Sequence, residues 1–197
     1  WYSDQWDPYQ YGKDFDENRP FLEQFQELKS KIPRMALVRQ GKAINSPYTH
    51  RVTDPKNSYM LFRCSYSENS MYIYNGKSTK DCVDTAWIFD SELSYECVNI
   101  ENCYNLKFSQ ESKDCRDSFF LYACRNCSDC VGCVNLVNKQ YCIWNKKYSK
   151  EEYQSKLKEL KLNTHTELEK MQVEFEKFRK EFPVKAIASV KSEKVSG

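Results

Sequence analysis

The stretch SYSENSMYIYNGKSTKDCVDTAWIFDSELSYEC, residues 65–97, aligns without a gap onto VNIENCYNLKFSQESKDCRDSFFLYACRNCSDC, residues 98–130. Both copies carry Lys-Asp-Cys at the same place, so Cys82 corresponds to Cys115, and both end in Cys, so Cys97 corresponds to Cys130. Cys64 extends this series backwards, so that Cys64, Cys97 and Cys130 are evenly spaced. Such self-similarity is typical of repeat architectures, in which each unit stacks on its neighbour. We therefore predict that the paired cysteines occupy equivalent places one repeat apart.

A shorter period lies inside the repeat. Two residues, mostly polar, followed by Ser or Cys recur at a regular 12-residue spacing, which one shorter step from Glu92 to Glu101 interrupts. These triplets begin at Lys56, Glu68, Lys80, Glu92, Glu101, Lys113 and Arg125. Asn and Asp tolerate left-handed backbone, and small Ser or Cys can point inwards where coils stack closely.

Runs of aromatic and aliphatic residues separate the triplets, and strands are expected near 71–74, 86–89, 104–108 and 119–122. The pattern predicts a mainly β fold: a β-solenoid built on the 33-residue repeat, with one coil per repeat or a fraction of it. Ankyrin repeats share the period, but no apolar spacing of helical type supports them here. A zinc-organised irregular domain and an open antiparallel sheet are the remaining alternatives.

Four segments follow from this pattern. Residues 1–55 are expected to form an aromatic N-terminal cap with one helix at about 19–31, N-capped by Asn18. Residues 56–148 form the Cys-rich solenoid, and residues 149–183 form a helical hairpin. Residues 184–197 return to strand and resemble a further repeat. No apolar run is long enough to span a membrane, and a net charge of +2 favours no strong polyanion partner.

The hairpin is marked by two capping boxes, Ser149 with Glu152 and Thr164 with Glu167. Each helix has one apolar stripe and a dense Lys/Glu outer face, which favours packing of the hairpin against the solenoid. A partner-binding or dimerising arm is the alternative. Its candidate residues are Phe175, Phe178 and Phe182, a bulky set for a short helix.

Cysteine is the residue type with the most chemical potential, and Cys124, Cys127, Cys130 and Cys133 stand three residues apart. C-x-x-C pairs hold zinc in many small domains, so these four are the candidate metal ligands. Cys127 and Cys130 also follow the repeat, which favours a buried, metal-free thiol ladder with no cofactor; zinc, iron–sulfur and disulfides stay open as alternatives. Ten cysteines so closely spaced favour a reducing compartment, hence a cytoplasmic location.

Catalytic patterns are scarce. Asp81 with Asp84 and Asp114 with Asp117 would stack on one side of a solenoid, as the paired carboxylates of carbohydrate-active β-helices do. Their periodicity is explained more simply by a structural need at each corner, so we expect no enzyme activity. Residues 138–148 interleave aromatics with lysines, as single-strand binders do, but a final strand leading into a helix explains them as well.

The motifs ENCYN, SKDC, FFLYACRNCSDCVGCVNLVNKQYC and NKKYSKEEY resemble a family of Cys-rich repeat proteins of candidate-phyla bacteria. The resemblance runs from WDPYQYGKDFDENRPF to the C-terminus. It implies stacked repeats and a zinc-associated context, because members often carry zinc-ribbon pairs before the segment similar to Trp1–Pro8. It implies no particular activity.

Together these patterns predict a non-catalytic scaffold that binds a macromolecule, with a protein partner or self-association expected and no membrane. A zinc-assisted nucleic-acid-binding module is the alternative. A carbohydrate-active β-helix using Asp84 and Asp117 is a distant third.

Overall fold

The computed structural model describes residues 5–34 and 37–184, and these fall into two units that divide after Val38. The first unit holds a short 3-10 turn, Pro8–Tyr11, and one helix, α1, Phe21–Lys31. The helix begins after Pro20 and not at Asn18, because a residue that precedes proline is pushed out of the helical region. The buried Gln24 side chain ties the helix to its preceding loop by donating to the carbonyl oxygens of Asp16 and Arg19 at 2.8 and 2.9 Å.

The second unit is a parallel β-solenoid of about nine turns, which confirms the predicted fold class. Strand partners follow a 12-residue spacing, as in Tyr59↔Met71 and Met71↔Val83. The strands are β1 Arg39–Gln40, β2 Val52–Thr53, β3 Tyr59–Phe62, β4 Met71–Lys80, β5 Val83–Glu92, β6 Val98–Glu101, β7 Tyr104–Lys107, β8 Arg116–Tyr122, β9 Ser128–Val134, β10 Gln140–Ile143 and β11 Lys146–Lys147. All four predicted strand stretches lie in or overlap these strands.

A three-residue unit generates the coil. Every third residue from Asn45 to Trp144 has a positive φ, and the residue after it is buried or half-buried at every step except Lys139. Asn and Asp are the residues that adopt this left-handed conformation most readily, which explains their recurrence one place before each inward Ser or Cys. Four such units make one 12-residue coil, so the solenoid has four sides and one inward side chain per side.

The 33-residue repeat is therefore not the coil. It contains eleven three-residue units, so corresponding residues of the two copies both point inwards or both point outwards. The second copy is nevertheless displaced from the first by two coils and three sides. The prediction that Cys82 and Cys115, or Cys97 and Cys130, occupy equivalent places is wrong: both members of each pair point inwards, but from different sides. The short step from Glu92 to Glu101 in the triplet series marks the same change of side.

The solenoid also begins before Lys56. Ile44 pairs with Lys56, and β1 pairs with β2, so coils form inside the segment predicted as the N-terminal cap. This part lacks aromatic runs, but Ser46, Thr49 and Val52 are buried at the three-residue spacing. Inward spacing, and not strand composition, decides where the coils start.

The C-terminal end is closed by β11, which pairs antiparallel to β10 and ends the parallel stack. Two helices follow, α2 Lys150–Glu159 and α3 His165–Arg179, and both pack on the solenoid as predicted. The Ser149 capping box is present, whereas the Thr164 side chain donates to the carbonyl oxygen of Lys161 and forms no cap. The predicted return to strand falls almost wholly on residues 185–197, outside the described residues. Within the described part, no helix is long and apolar enough to cross a membrane.

Candidate functional site

The interior is a column of small polar side chains and thiols. All ten cysteines are free and buried, and buried Ser residues occupy the same kind of inward position. The Ser70 hydroxyl donates to the carbonyl oxygen of Glu68 at 2.8 Å and accepts from the N–H of Cys82 at 3.2 Å. The Cys97 thiol donates to the carbonyl oxygens of Tyr95 and Leu106 at 3.3 and 3.5 Å. Either Ser or Cys thus suits an inward position, because both side chains form hydrogen bonds with the backbone groups there.

The four candidate ligands fill one complete layer. Cys124, Cys127, Cys130 and Cys133 take four successive inward positions, one on each side of the coil. Each thiol lies 3.2–3.5 Å from the carbonyl oxygen two residues before it. In the described part of the chain, no group of three or more His, Cys, Asp or Glu side chains is arranged to hold a metal ion.

Burial also suppresses thiol chemistry elsewhere in the column. It raises the pKa of Cys97 to about 12 and that of Cys103 to about 11. It likewise raises the pKa of Cys64 and Cys82. Because the thiolate is the nucleophile, these cysteines are poor candidates for covalent catalysis.

The candidate acids are not brought together. Asp84 and Asp117 lie on different sides of the solenoid, because they are separated by the 33-residue repeat, which is not a whole number of coils. Asp117 accepts from Asn105 at 2.9 Å, Asp81 accepts from Asn69 at 3.1 Å and Asp114 accepts from Asn102 at 3.2 Å. Asp81, Asp114 and Asp117 each hold a left-handed corner and bond to the corner one coil earlier.

Charged residues on the polar sides also form ladders. Lys56 pairs with Glu68 at 2.6 Å, Lys80 with Glu92 at 3.1 Å, and Lys113 with Glu101 at 2.9 Å. Opposite charges directly across a strand pair stabilise a sheet slightly, whereas like charges destabilise it. The alternation of sign therefore has a structural purpose here.

The two other sides are aromatic. On the first, called the aromatic face, the outward residues form two neighbouring rows in which members are separated by 12 residues or a multiple of 12. One row includes Tyr48, Met60, Tyr72, Phe108, Phe120 and Trp144, and the other includes Tyr59, Met71, Phe119 and Ile143. The side next to it carries His50, Phe62 and Tyr74 in register, with ring centroids 4.9 and 6.3 Å apart. Trp87 continues this row, 6.3 Å from Tyr74.

One end of the aromatic face is covered. Phe175 of α3 is only 4% exposed and packs its ring 5.8 Å from that of Phe120 and 6.3 Å from that of Trp144. Phe178 contacts Trp144 at 5.0 Å and Phe182 at 4.9 Å. The structure thus places all three candidate partner-binding residues in the cluster between α3 and the last coils.

The other end is open. Tyr48, Met60, Phe62, Met71, Tyr72, Tyr74 and Trp87, called here the exposed aromatic patch, each keep between 40 and 65% of their surface accessible. The sequence prediction missed this patch because it treated runs such as 71–74 and 86–89 as separate strands, and only the 12-residue coil brings Phe62, Tyr74 and Trp87 side by side. A search at 12-residue spacing would have found the series Tyr48, Met60 and Tyr72.

The aromatic and lysine segment 138–148 forms the C-terminal end of the solenoid. Trp144 faces α3, and Tyr141 contacts Tyr153 of α2 with ring centroids 5.7 Å apart. Asn145 bonds to both the N–H and the carbonyl oxygen of Val134 and so caps the last coil. These contacts fit the simpler interpretation of this segment, a last strand leading into a helix.

Comparison with known proteins adds little. No family model matches the sequence, and no curated protein matches it. A hexapeptide transferase family protein from Anaplasma phagocytophilum is 9% identical, with a TM-score of 0.17 over 72% of this chain and 88% of its own. A mutant GDP-perosamine N-acetyl transferase from Caulobacter crescentus, in complex with CoA and GDP-perosamine, is 10% identical, with a TM-score of 0.17 over 59% of this chain and 57% of its own. Likenesses this weak carry no argument about activity.

Proposed function

We propose that the protein is a non-catalytic scaffold whose exposed aromatic patch binds an amphipathic helix of a protein partner. A β-solenoid fits a scaffold, since its sides present long, regular rows of side chains. The observation that supports the proposal is that one face of the solenoid is covered by a helix at one end and bare at the other.

The covered end provides the template. There, the buried Met171 and Phe175 lie four residues apart on one helix face, and Phe175 packs against Phe120 and Trp144, which project from the same face two coils apart. Helix-in-groove recognition uses anchors at this spacing. The exposed patch continues the same face and the side next to it, so a second helix with similar anchors fits its chemistry.

The size of the patch favours binding. Seven side chains of about 200 Å² apiece, each roughly half exposed, leave about 700 Å² uncovered. The largest apolar patch on a typical monomer is about 300–600 Å², and it is often functional. Tyr, Trp and Met are also enriched at protein interfaces.

The charges beside the patch indicate what kind of helix would bind it. Arg51 and Arg63 occupy corresponding left-handed positions one coil apart, beside the row of His50 and Phe62, and both are exposed. A partner helix with an acidic rim would complement them, which would speed association and fix orientation.

Selection from a displayed library of amphipathic helices tests the proposal. We expect enriched helices with an apolar stripe and acidic flanks that bind the wild-type protein and lose binding to the double variant Phe62→Ser, Trp87→Ser. Tyr104→Ser is the matched control, because Tyr104 is 46% exposed but lies on a polar side. Helices that bind the double variant as well as the wild type would refute the assignment. Patch-dependent dimerisation in sedimentation velocity, without helix binding, would make a second copy the occupant.

The second candidate is a zinc-assisted nucleic-acid-binding module, which would use the four-thiol layer, although the described residues include no group arranged to hold a metal ion. It requires zinc in the purified protein, a requirement tested below at the residue scale.

A further inference from the structure

A cavity of about 270 Å³ lies where α3 meets the aromatic face. Its lining includes the acids Asp84, Glu96 and Glu176 and the rings of Phe108, Phe120 and Phe175. Sites for drug-sized ligands usually measure about 300–1,000 Å³, so this one suits a small molecule or a single side chain.

Three rings build its apolar wall. Phe108 and Phe120 stack with centroids 4.8 Å apart and planes 7° from parallel, and Phe175 lies 5.8 Å from Phe120. Phe120 and Phe175 are almost fully buried, so their rings are fixed by packing. The wall is preformed, and the faces of aromatic rings attract cations.

The same row of the aromatic face continues as two acids on the coils before Phe108. Asp84 and Glu96 stand one coil apart at corresponding places on the aromatic face, where the earlier coils carry Tyr72 and the later ones Phe108. Glu176 projects from α3 and pairs with Arg179 at 3.0 Å. Arg179 is further engaged with Gln110 at 2.9 Å and with the ring of Tyr122 at 5.0 Å.

Asp84 and Glu96 break the rule that the other charged ladders follow. Those ladders alternate Lys with Glu, whereas here two acids occupy neighbouring coils, and no described Lys or Arg forms an ion pair with either. Like charges side by side destabilise a sheet, so the arrangement costs stability unless a cation lies between them. The two acids also line a cavity that the rings of Phe108, Phe120 and Phe175 line as well.

We propose that this cavity binds an organic cation with an apolar stem, an alkylammonium group carried either by a free diamine or by a lysine side chain. The charged head lies at Asp84 and Glu96, and the stem lies along Phe108, Phe120 and Phe175. Carboxylates provide charge-assisted hydrogen bonds, and the rings provide cation–π and apolar contact. This site is independent of the exposed aromatic patch.

Isothermal titration calorimetry with three probes tests the site: cadaverine, N-acetyl-lysine-methylamide and 1-pentanol, the last as an uncharged control. We expect saturable binding of at least one cationic probe and none of pentanol. The double variant Asp84→Asn, Glu96→Gln should lower the affinity about tenfold or more, since it removes both charges that face the ammonium group. Both positions are exposed, so circular dichroism should show an intact fold.

Asp90→Asn is the matched control, because Asp90 is an exposed left-handed corner outside the cavity. It should leave the affinity unchanged. Binding of cadaverine alone assigns a free diamine, and comparable binding of the capped lysine assigns a peptide side chain. Three results would overturn the proposal: no saturable binding of either cation up to millimolar concentration, equal binding of pentanol, or full affinity in the double variant.

Discussion

Thr85 is the one described buried side chain whose oxygen has no hydrogen-bond partner. It occupies an inward position and is 3% exposed, between coils that place Ile73 and Cys97 at the same side. A buried hydroxyl without a partner costs about 1–3 kcal/mol. This coil therefore carries a local defect that the neighbouring Ser and Cys positions avoid.

We predict that Thr85→Val stabilises the protein by about 1 kcal/mol, because valine has the same shape and no hydroxyl to satisfy. Thr79→Val is the control: the Thr79 hydroxyl donates to the Ser67 hydroxyl at 2.9 Å, so its loss should destabilise by a similar amount. Urea denaturation followed by circular dichroism measures both. Equal effects of the two substitutions would contradict the assignment.

For the thiol layer, we predict that protein purified under reducing conditions contains no stoichiometric zinc. The thiols of Cys124, Cys127, Cys130 and Cys133 each already donate to a backbone carbonyl. Elemental analysis and thiol titration check this: few thiols should react in the folded protein and all ten after denaturation. About one zinc per chain, lost together with the fold in Cys124→Ser, Cys133→Ser, would favour the zinc module, since a structural site uses about four thiolates.

The buried thiols also make stability depend on alkaline pH. Burial raises the pKa of Cys97 from 9.0 to about 12 and that of Cys103 to about 11. The unfolded thiols ionise first, so the stabilisation is complete below pH 9 and is lost as the pH rises towards 11–12. We predict that the free energy of unfolding falls as the pH rises from 9 towards about 11, and that Cys97→Ser, Cys103→Ser reduces the slope. An unchanged slope in that variant would argue against these two thiols.

Helix α3 shows how an attached element uses the solenoid. Met171 and Phe175 are its buried positions, and Phe175 packs against the rings of Phe120 and Trp144 from different coils, while Val173 is 58% exposed. The helix therefore joins coils that otherwise contact only their neighbours.

We predict that Phe175→Ala destabilises the protein by about 3–5 kcal/mol, as truncation of a buried aromatic ring does. Val173→Ala should change the stability by less than about 0.5 kcal/mol, since it is a surface substitution. Chemical denaturation measures both. Unchanged stability of Phe175→Ala, with loss of self-association, would instead make α3 an interaction arm.

At the scale of single elements, local motifs could be predicted from the sequence, whereas features that depend on the path of the chain could not. Ser149 and Glu152 form a local motif, so the start of α2 was correct. Thr164 and Glu167 have the same spacing, but the Thr164 hydroxyl bonds to a carbonyl in the preceding turn, which depends on the path of the loop. The exposed patch could not be predicted from a 33-residue period, because only the 12-residue coil brings Phe62 and Tyr74 side by side.

The whole molecule follows two nested periods. The three-residue unit decides whether a side chain points inwards, and the 12-residue coil decides which side it takes. The three-residue period is visible in the spacing of the cysteines and acids, and 33 is a multiple of three, so the repeat preserves it. The second is hidden, because 33 is not a multiple of 12 and the two copies are rotated relative to each other.

We predict that deletion of residues 65–76, one full coil, leaves a folded solenoid, because every later residue keeps both its role and its side. Deletion of residues 65–75 should abolish folding, because it turns all later inward residues outwards. Far-UV circular dichroism and cooperative unfolding in urea compare the two variants. Similar unfolding of both would disprove control by the three-residue unit.

The stacking of the coils also determines how the solenoid would respond to a stretching force. Outside the region that α3 covers, each 12-residue coil bonds to the coils before and after it, so tension applied at the two ends would unfold the coils one at a time. Every step would release about 40 Å of extended chain. The coils that α3 covers would unfold last, and those beneath the exposed aromatic patch would unfold first. A partner helix bound across the patch would therefore raise the force needed to unfold the weakest coils.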